Sequence, residues 1–463
     1  MTVMVFGAGV TGLSMAWKMT EAGLPVTVLE KQSFLGGTAG TFTHGEYKLD
    51  FGPHKIYTQL DHIHKELQDL LGEDMKPIPK KSRIYMLGKY FDYPFKMTAL
   101  MMGINPVLAA KAMASYAAAK FQKKDDTTYE SYLVSRFGRT LYELVFKPYA
   151  EKVWGDPSKL DGELARIRVV VPSLGELVKR MIIGDSNKKE ISARNFYYPK
   201  NGCAELSYKM AERAQKAGCR IETTALPSKV HVKGNRVTSV DYVQKGKTTS
   251  VNVSYLASTI YLNDLIPMMD PKPPQEVLTA AASLKYRSLI LFFVVVEKER
   301  LFQDNWIFFA DKGVIFNRAS EQKGFSESMI PKGKTVLCVE ITCMEGDGKW
   351  SATTEQLYER VIADLEKVDL VKRGEVKEYF TLKWKNKYPM YDLHYKKNLA
   401  TVLAYLDQFE NLITNGRPGL LNYNNMDHCI DMGLTATEHI VKGGDGAAWK
   451  EARRKFDSYQ IID

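Results

Sequence analysis

The sequence predicts an α/β fold in which a discontinuous Rossmann-type domain is combined with a helical insertion and a mixed or antiparallel β-sheet. Three observations support this prediction. A strand, a glycine turn, a helix and a second strand follow one another within residues 3–29. A stretch with mainly helical character occupies residues 82–184, and β-branched strands return from residue 220 onwards. The chain has no internal repeat and no low-complexity linker, so we expect its domains to be interleaved.

The N-terminal unit has the order strand, helix, strand. Val3–Phe6 is a short apolar strand, residues 11–22 are predicted to be helical, and Val26–Leu29 is a β-branched strand that ends at Glu30. Later helices are predicted at residues 98–121 (a pair broken at 105–106), 357–370 and Met426–Val441. Further strands are predicted at residues 220–224, 230–232, 237–243, 251–256, 289–296, 307–309, 314–317 and 335–342. The predicted domains are residues 1–81 with 195–262 and 405–463 for the Rossmann-type domain, 82–194 for the helical insertion and 263–404 for the sheet domain.

The composition is that of a soluble globular protein, with 45% hydrophobic and 25% charged residues. The formal net charge of +10 indicates a phosphate-bearing cofactor or substrate or an acidic membrane surface, unless these charges are only solvated. No aromatic-rich basic stripe is present, so nucleic acid is set aside. Residues 98–121 are rich in Ala and Met but interrupted by Asn105, Pro106 and Lys111. They predict a buried or interfacial helix pair, which leaves peripheral membrane contact open.

The five cysteines are scattered, without a CxxC pair or a metal-ligand spacing to histidine. We therefore expect structural thiols, no metal site, and a cytoplasmic protein in a reducing compartment. The apolar N terminus lacks a basic leader and a cleavage site, which favours a strand over a signal peptide.

Gly7, Gly9 and Gly12 form a G-x-G-x-x-G pattern between the first strand and the first helix. The first glycine permits a tight turn, the second lets the backbone approach a pyrophosphate, and the third lets the helix pack against the strand. The helix N-terminus offers N–H groups and a partial positive charge to phosphates. Glu30 stands where an acid accepts hydrogen bonds from ribose hydroxyls. The unit therefore predicts a bound dinucleotide.

Gly36, Gly37 and Thr38 open a second cluster of small residues directly after the βαβ unit. Glycines let the backbone stay close to a long dinucleotide, so this cluster favours FAD over NAD. Near the C terminus, Met426 and Asp427 begin a helix whose N-terminus favours an anionic ring in front of it, with Asp427 as the predicted N-cap. This arrangement resembles the large FAD family of amine oxidases, protoporphyrinogen oxidases and UDP-galactopyranose mutases. The resemblance implies non-covalent FAD, with the late helix against the ribityl chain and the pyrimidine edge of the flavin.

Several further segments resemble the UDP-galactopyranose mutase branch of that family. They are the FGPHKIYT stretch at residues 51–58, the YFDYPFKM stretch at 90–97, the PYAEKVWG stretch at 148–155, Arg194 before the YPKNG turn at 198–202, Asn317-Arg318 after a predicted strand, and Gly416-Arg417 with Tyr423. The resemblance implies that His54 lies against the flavin ring.

The resemblance also implies a mutase reaction, in which a nucleotide-diphosphate sugar is converted between pyranose and furanose through an adduct at N5 of the reduced flavin. NAD(P)H is a candidate reductant. Arg194, Arg318 and Arg417 are predicted to hold the diphosphate through bidentate, charge-assisted hydrogen bonds, and Tyr423 to donate one more. With His54, these residues form the predicted catalytic set.

Other interpretations stay open. The chain is longer than compact bacterial mutases, and its uridine-binding segment is not recognisable. Another furanose-forming sugar nucleotide, or an FAD-dependent oxidase or dehydrogenase acting on a sugar, an amine or a porphyrin-like substrate, therefore fits as well. A non-catalytic nucleotide-binding module is the third alternative. His54 could be a structural histidine, and Lys152 and Trp154 are expected to hold a helix end by packing. The oligomeric state is not indicated.

Overall fold

A computed structural model describes residues 2–94, 97–169, 195–459 and 461. The strands in chain order are β1 (Val3–Phe6), β2 (Val26–Leu29), β3 (Thr41–His44), β4 (Tyr47–Asp50), β5 (Lys76–Pro79), β6 (Ser82–Met86), β7 (Lys89–Asp92), β8 (Asn195–Tyr198), β9 (Arg220–Glu222), β10 (Ala225–Lys233), β11 (Arg236–Gln244), β12 (Lys247–Asn252), β13 (Tyr255–Ser258), β14 (Met269–Asp270), β15 (Tyr286–Val296), β16 (Trp306–Phe309), β17 (Arg318–Glu321), β18 (Thr335–Cys343), β19 (Val376–Pro389) and β20 (Leu412–Thr414). The helices are α1 (Val10–Glu21), α2 (Asp61–Leu71), α3 (Met97–Gly103), α4 (Pro106–Ala119), α5 (Tyr129–Phe137), α6 (Arg139–Leu141), α7 (Lys147–Val153), α8 (Gly162–Arg168), α9 (Ala204–Lys216), α10 (Leu262–Met268), α11 (Gln275–Ala282), α12 (Gly348–Ser351), α13 (Thr354–Lys367), α14 (Tyr395–Leu406), α15 (Gly416–Gly419), α16 (Met426–Val441) and α17 (Gly446–Ala452).

A parallel sheet of order β20-β13-β1-β2-β9 forms the first layer. All four residues of β1 are buried, as is expected of a central parallel strand covered on both faces. Because its strands come from residues 3–6, 26–29, 220–222, 255–258 and 412–414, the domain built on it is discontinuous. The predicted fold class is confirmed.

Helices α1 and α16 pack closely beside this sheet. An added Cβ on Gly433 would lie 2.6 Å from the Cβ of Ser14, so only a glycine permits this approach. Earlier along the same helix, Cys429 meets Thr11. Residues of α16 therefore meet residues of α1 in the same order, so the helices run parallel and their N-termini lie on the same side. Each helix end can direct unpaired backbone N–H groups at a common region.

A larger sheet has the order β19-β15-β18-β17-β16-β6-β7 and is antiparallel except for the parallel pair β6 and β16. Every side chain of β15 and of β18 is buried, so these two strands carry the core of the sheet. A four-stranded sheet of order β12-β11-β10-β14 and two short strand pairs, β3–β4 and β5–β8, complete the described sheets.

Three predicted elements are wrong. Residues 82–92 are not helical but form the hairpin β6–β7, and the helices of this region begin with α3. The predicted strand at 251–256 is the end of β12 and the start of β13, which lie in different sheets. Residues 314–317 form a turn before β17, because Asn317 already docks on β18 there, donating its N–H to the Glu340 carbonyl at 2.9 Å. The division into three domain ranges stays a prediction.

No helix among the described residues has the length and apolarity that a membrane span requires. All five cysteines are free thiols, and four of them are buried.

Candidate flavin and anion site

The turn between β1 and α1 uses its three glycines differently. Gly7 has a φ of +96°, and an added Cβ there would lie 2.6 Å from Thr259 Oγ1. A Cβ on Gly12 would overlap the Gly7 carbonyl oxygen, whereas one on Gly9 would meet no atom within 4 Å. Gly9 is also the N-cap of α1 and supplies no capping side chain. The first and third glycines thus serve packing, and the second borders open space at a helix N-terminus, where an anion is favoured.

The second glycine cluster lies directly against the first. Gly36 donates its N–H to the Ala8 carbonyl at 2.8 Å and forms a parallel bridge with Gly9. A Cβ on Gly37, whose φ is +55°, would lie 3.5 Å from the Gly9 Cα. A strip of backbone without side chains therefore runs from Gly9 to Gly37, as close approach of a pyrophosphate requires.

Glu30 is buried at the end of β2 and holds this turn in place. Its two carboxylate oxygens accept hydrogen bonds from the N–H groups of Ala8 and Gln32, each at 2.8 Å. A carboxylate oxygen has a second lone pair, so the predicted contact to a ribose hydroxyl fits beside these bonds.

The prediction that Asp427 caps α16 is wrong, because the N-cap lies two residues earlier in the chain. Asn425 is the N-cap, in a capping box with His428, whose Nδ1 accepts the Asn425 N–H at 3.2 Å. Asp427 is buried in the first turn, and its Oδ1 has no hydrogen-bond partner among the described residues. Burial raises the pKa of Asp427. Such an unsatisfied buried atom fits the polar edge of a bound ring. Met426 is buried beside it, with its Sδ 3.4 Å from Cys203 Sγ.

His54 lies among three cationic side chains: Lys387, Arg318 and Arg417. Burial, followed by the fields of these three cations, holds the pKa of His54 well below its ordinary value. The ring is therefore neutral near pH 7. Its Nδ1 lies 2.9 Å from the Gly52 carbonyl oxygen. Because a carbonyl can only accept, Nδ1 carries the proton and Nε2 is left as the acceptor.

Arg318 is the first residue of β17, which corrects the expectation that it follows a strand. Its Nη2 donates to both carboxylate oxygens of Glu340, at 2.7 and 2.9 Å, and the Glu340 side chain is 2% exposed. Burial opposes the charge on Arg318, but the Glu340 carboxylate prevails and raises the pKa of the guanidinium. Its Nε has no partner among the described residues. Glu340 thus holds Arg318 charged, and the Nε donor is still available.

Lys387 belongs to this group and was not predicted from the sequence. It is buried on β19, and its Nζ donates to the carbonyls of Thr38 at 3.0 Å and Phe51 at 3.2 Å. Burial, and then the nearby Arg417, lower the pKa of Lys387 to about 7. Lys387 therefore ties the second glycine cluster to the loop that carries His54.

Arg417 and Tyr423 approach from the C-terminal part of the chain. The Arg417 guanidinium contacts Asn424, with Nε 3.3 Å from Oδ1 and Nη2 donating to the Asn424 carbonyl. The Tyr423 hydroxyl accepts a hydrogen bond from Trp154 Nε1 at 3.0 Å. Arg168, which sequence reasoning missed, has its guanidinium carbon 5.7 Å from each of the two ring centroids. Trp154 thus has a polar contact at the site as well as the expected packing role.

Arg194 lies outside the described residues, so the structure gives it no position. Lys152 does not hold a helix end by packing but donates hydrogen bonds from its Nζ to the carbonyls of Phe309, Asp311 and Phe316, at 2.8, 2.5 and 3.1 Å. These contacts fix the segment that leads to Arg318.

Asp50, His54 and Cys203 present potential metal-ligand atoms within 4.8 Å of one another. The Asp50 carboxylate is already used, because it accepts hydrogen bonds from Thr41 Oγ1 at 2.6 Å, from the Cys203 N–H at 3.2 Å and from the Tyr198 hydroxyl. We interpret this cluster as a hydrogen-bonded support for the histidine loop.

The sequence and the fold of this chain are similar to those of several known proteins. The chain is 24% identical over 176 residues to a probable UDP-galactopyranose mutase of Klebsiella pneumoniae, a match that covers 35% of this chain and 44% of that protein. It is 23% identical over 350 residues to the 1-hydroxycarotenoid 3,4-desaturase of Flavobacterium sp. (strain P99-3), covering 68% and 69%. A crystal structure of reduced UDP-galactopyranose mutase has the same fold, with a TM-score of 0.84 and 17% identity over 100% of both chains.

The family described as flavin containing amine oxidoreductase matches residues 10–437, which include Gly12, the second glycine cluster and the start of α16. The chain belongs to the flavin containing amine oxidoreductase family.

Proposed function

We propose that this protein is an FAD-dependent nucleotide-sugar mutase, which interconverts the pyranose and furanose forms of a sugar linked to a nucleoside diphosphate. The observation that carries the proposal is the convergence of Arg318, Arg417 and Lys387 on one neutral histidine, His54. Arg318, Arg417 and the protonated form of Lys387 together carry more positive charge than the Glu340 carboxylate beside them offsets, and a bound diphosphate would balance the excess. The similarity to UDP-galactopyranose mutases in sequence and over the whole fold supports the same conclusion.

The described residues fit non-covalent FAD. The bare backbone between Gly9 and Gly37 would take the pyrophosphate, Glu30 the ribose, and Met426 and Asp427 the ring edge at the N-terminus of α16. When bound in its reduced form, the flavin supplies a nucleophilic electron pair at N5.

The chain's own residues would then hold the substrate. Arg318 and Arg417 would bind the diphosphate oxygens, since guanidinium groups match phosphate geometry. The Tyr423 hydroxyl accepts a hydrogen bond from Trp154 and, as in the family that the sequence resembles, would donate one to the diphosphate. His54 is neutral and would contribute contact and shape rather than charge. These contacts would hold the released nucleoside diphosphate at the site until it bonds to the sugar again.

The direct test uses purified protein loaded with FAD, reduced with dithionite without oxygen and supplied with UDP-galactopyranose and other nucleotide-sugars. Chromatography should show the isomeric furanose while the flavin absorbance stays reduced. If no isomer forms from any nucleotide-sugar, the mutase proposal is wrong.

Arg417→Met is expected to weaken UDP binding by about thirtyfold or more, because a charge-assisted contact to phosphate is lost. Since the described contacts of Arg417 are to Asn424, the melting temperature should change little. Calorimetric titration with UDP measures the affinity. Arg220→Met, at an exposed position on β9, is the matched control and should leave UDP binding unchanged. Equal losses in the two variants would contradict the assignment.

Lys387 predicts a pH dependence of UDP binding. With a pKa of about 7, its ammonium is charged below that pH and neutral above it. The charged form attracts the diphosphate, so this contribution is present at low pH and is lost as the pH rises through about 7. Between about pH 6 and pH 8.5 the affinity of the wild-type protein should fall about tenfold relative to that of Lys387→Met. Both proteins are titrated with UDP. Because the ionisation of UDP changes the two affinities equally, it cancels in their ratio. A constant affinity ratio would refute this role of Lys387.

An FAD-dependent oxidoreductase is the second candidate, favoured by the match to the 1-hydroxycarotenoid 3,4-desaturase over 68% of this chain. In that case a substrate should reduce the oxidised flavin in the absence of oxygen, which is measured as a loss of flavin absorbance. The reduced protein should form no sugar isomer.

A further inference from the structure

The helices α3 and α4 turn an apolar face outward. The side chains of Met102, Val107 and Phe121 are 82%, 78% and 93% exposed. On and directly after α4, the exposed positions recur at helical spacing and form one side, which we name the α4 face: Val107, Ala110, Lys111, Ala114, Ala117, Ala118 and Phe121. All but one of these side chains are apolar, the reverse of what a solvated helix face shows.

The α4 face is distinct from the side of α4 that packs against the rest of the protein. The opposite side of α4 carries the buried residues Ala112 and Ala119 and packs against α5 and α6. Nine large hydrophobic side chains are exposed among the described residues, and four of them (Met102, Val107, Met113 and Phe121) lie within this one segment. Single exposed apolar residues are ordinary, but a local group marks a contact surface.

The charges of the segment are of one sign. Residues 97–124 contain no aspartate or glutamate, and they contain Lys111, Lys120, Lys123 and Lys124. Lys124 is used internally, donating to the carbonyls of Ala119 at 3.1 Å and Ser135 at 2.7 Å. Lys111 and Lys123 form no ion pair with any described residue, and both are exposed. The apolar face therefore has lysines at its rim that complement an anionic surface, and of the two aspartates that follow them, Asp125 and Asp126, the second is paired with Arg136.

Leu87 adds a second apolar group nearby. It occupies the tip of the hairpin β6–β7 with a φ of +54°, a conformation that favours glycine or asparagine, and its side chain is exposed. The hairpin is attached to the end of α3, where Lys89 Nζ donates to the Gly103 carbonyl at 3.2 Å. An outward leucine in an unfavourable backbone conformation is consistent with a contact made outside the protein.

We propose that the α4 face docks on an anionic phospholipid surface. A fluid surface of lipid headgroups accepts large side chains that are spaced along a helix with alanines between them, and it needs no matching groove. Each lysine near such a surface adds attraction that salt weakens. The proposal concerns residues away from the flavin and anion site, so it does not depend on the reaction proposed above.

The test is sedimentation of the full-length, flavin-loaded protein with vesicles. The protein should bind phosphatidylcholine vesicles that contain about 30 mol% phosphatidylglycerol, bind weakly to pure phosphatidylcholine, and be released by salt. The double variants Val107→Ser with Phe121→Ser, and Lys111→Glu with Lys123→Glu, should each bind about tenfold more weakly or worse.

Matched controls alter exposed apolar residues or exposed lysines elsewhere. Leu226→Ser with Leu393→Ser removes exposed apolar groups, and Lys233→Glu with Lys247→Glu changes the net charge equally. Both controls should bind as the wild type does, and all four variants should keep the flavin absorbance and the melting temperature. Three results would overturn the proposal: no binding to anionic vesicles, equal losses in the controls, or a wild-type dimer that Val107→Ser with Phe121→Ser turns into a monomer.

Discussion

Gly12→Ala is expected to remove the flavin and to lower the free energy of unfolding together, whereas Gly9→Ala should remove the flavin alone. At Gly12 the new methyl group would overlap the Gly7 carbonyl oxygen, so α1 must move away from β1. Overpacking of this kind destabilises a fold by about 1–3 kcal/mol, and the nearness of a backbone atom places Gly12→Ala at the upper end. At Gly9 the methyl group meets no protein atom within 4 Å, and the φ of −75° suits alanine. The only space it takes is that of the expected pyrophosphate.

Urea unfolding and the flavin absorbance of the purified variants measure the two effects separately. Gly348→Ala serves as the control, because a Cβ there also meets no atom within 4 Å, far from the glycine clusters. It should change the free energy of unfolding by less than about 0.5 kcal/mol. Full flavin content in Gly9→Ala would mean that the cofactor does not lie against this turn.

Arg318→Met is expected to lower the free energy of unfolding by about 3–5 kcal/mol, because it leaves the Glu340 carboxylate buried without its counter-charge. Adding Glu340→Gln removes that uncompensated charge, so the double variant should recover most of the lost stability. UDP binding should not recover in the double variant, because the guanidinium that would hold the diphosphate is still missing.

The two readouts thus separate the role of Arg318 in the fold from its proposed role at the substrate. Arg373→Met is the matched control, since Arg373 forms a bidentate pair with Glu359 in which both partners are about half exposed. Its loss should change the free energy of unfolding by less than about 1 kcal/mol. If Arg318→Met with Glu340→Gln bound UDP as tightly as the wild type, Arg318 would have no part in the anion site.

The elements that the sequence predicted best are those with strong local signals. Strands β1 and β2 and helix α16 begin and end at the predicted residues, because an apolar run followed by glycines and a long 3.6-residue period are local properties. The hairpin β6–β7 was missed because β6 pairs with β16, more than 200 residues later, and no local pattern indicates that partner.

Lys387 illustrates a limit of periodicity in strands. Lys383, Lys385 and Lys387 are spaced by two residues, so a regular strand would place all three on one exposed face. The first two are exposed, but the third is buried. Between the pairs Leu289–Trp384 and Arg287–Tyr388 the register of β19 shifts against β15, and Asn386 has a φ of +56°. This bulge turns Lys387 inward, and a bulge has no reliable signature in a single sequence.

The order of strands in the parallel sheet also determines when each strand can pair with its neighbours during translation. β1 and β2 leave the ribosome early, but their neighbour β13 ends at residue 258, and β20, which pairs with β13, ends at residue 414. Helix α16, which packs against α1, follows later still. Contacts between such distant segments form slowly, because long stretches of chain must be ordered first. The nascent β1–β2 pair therefore keeps both of its outer edges unpaired until β9 and β13 have been made, about halfway along the chain, and during that time its apolar strands are exposed to aggregation.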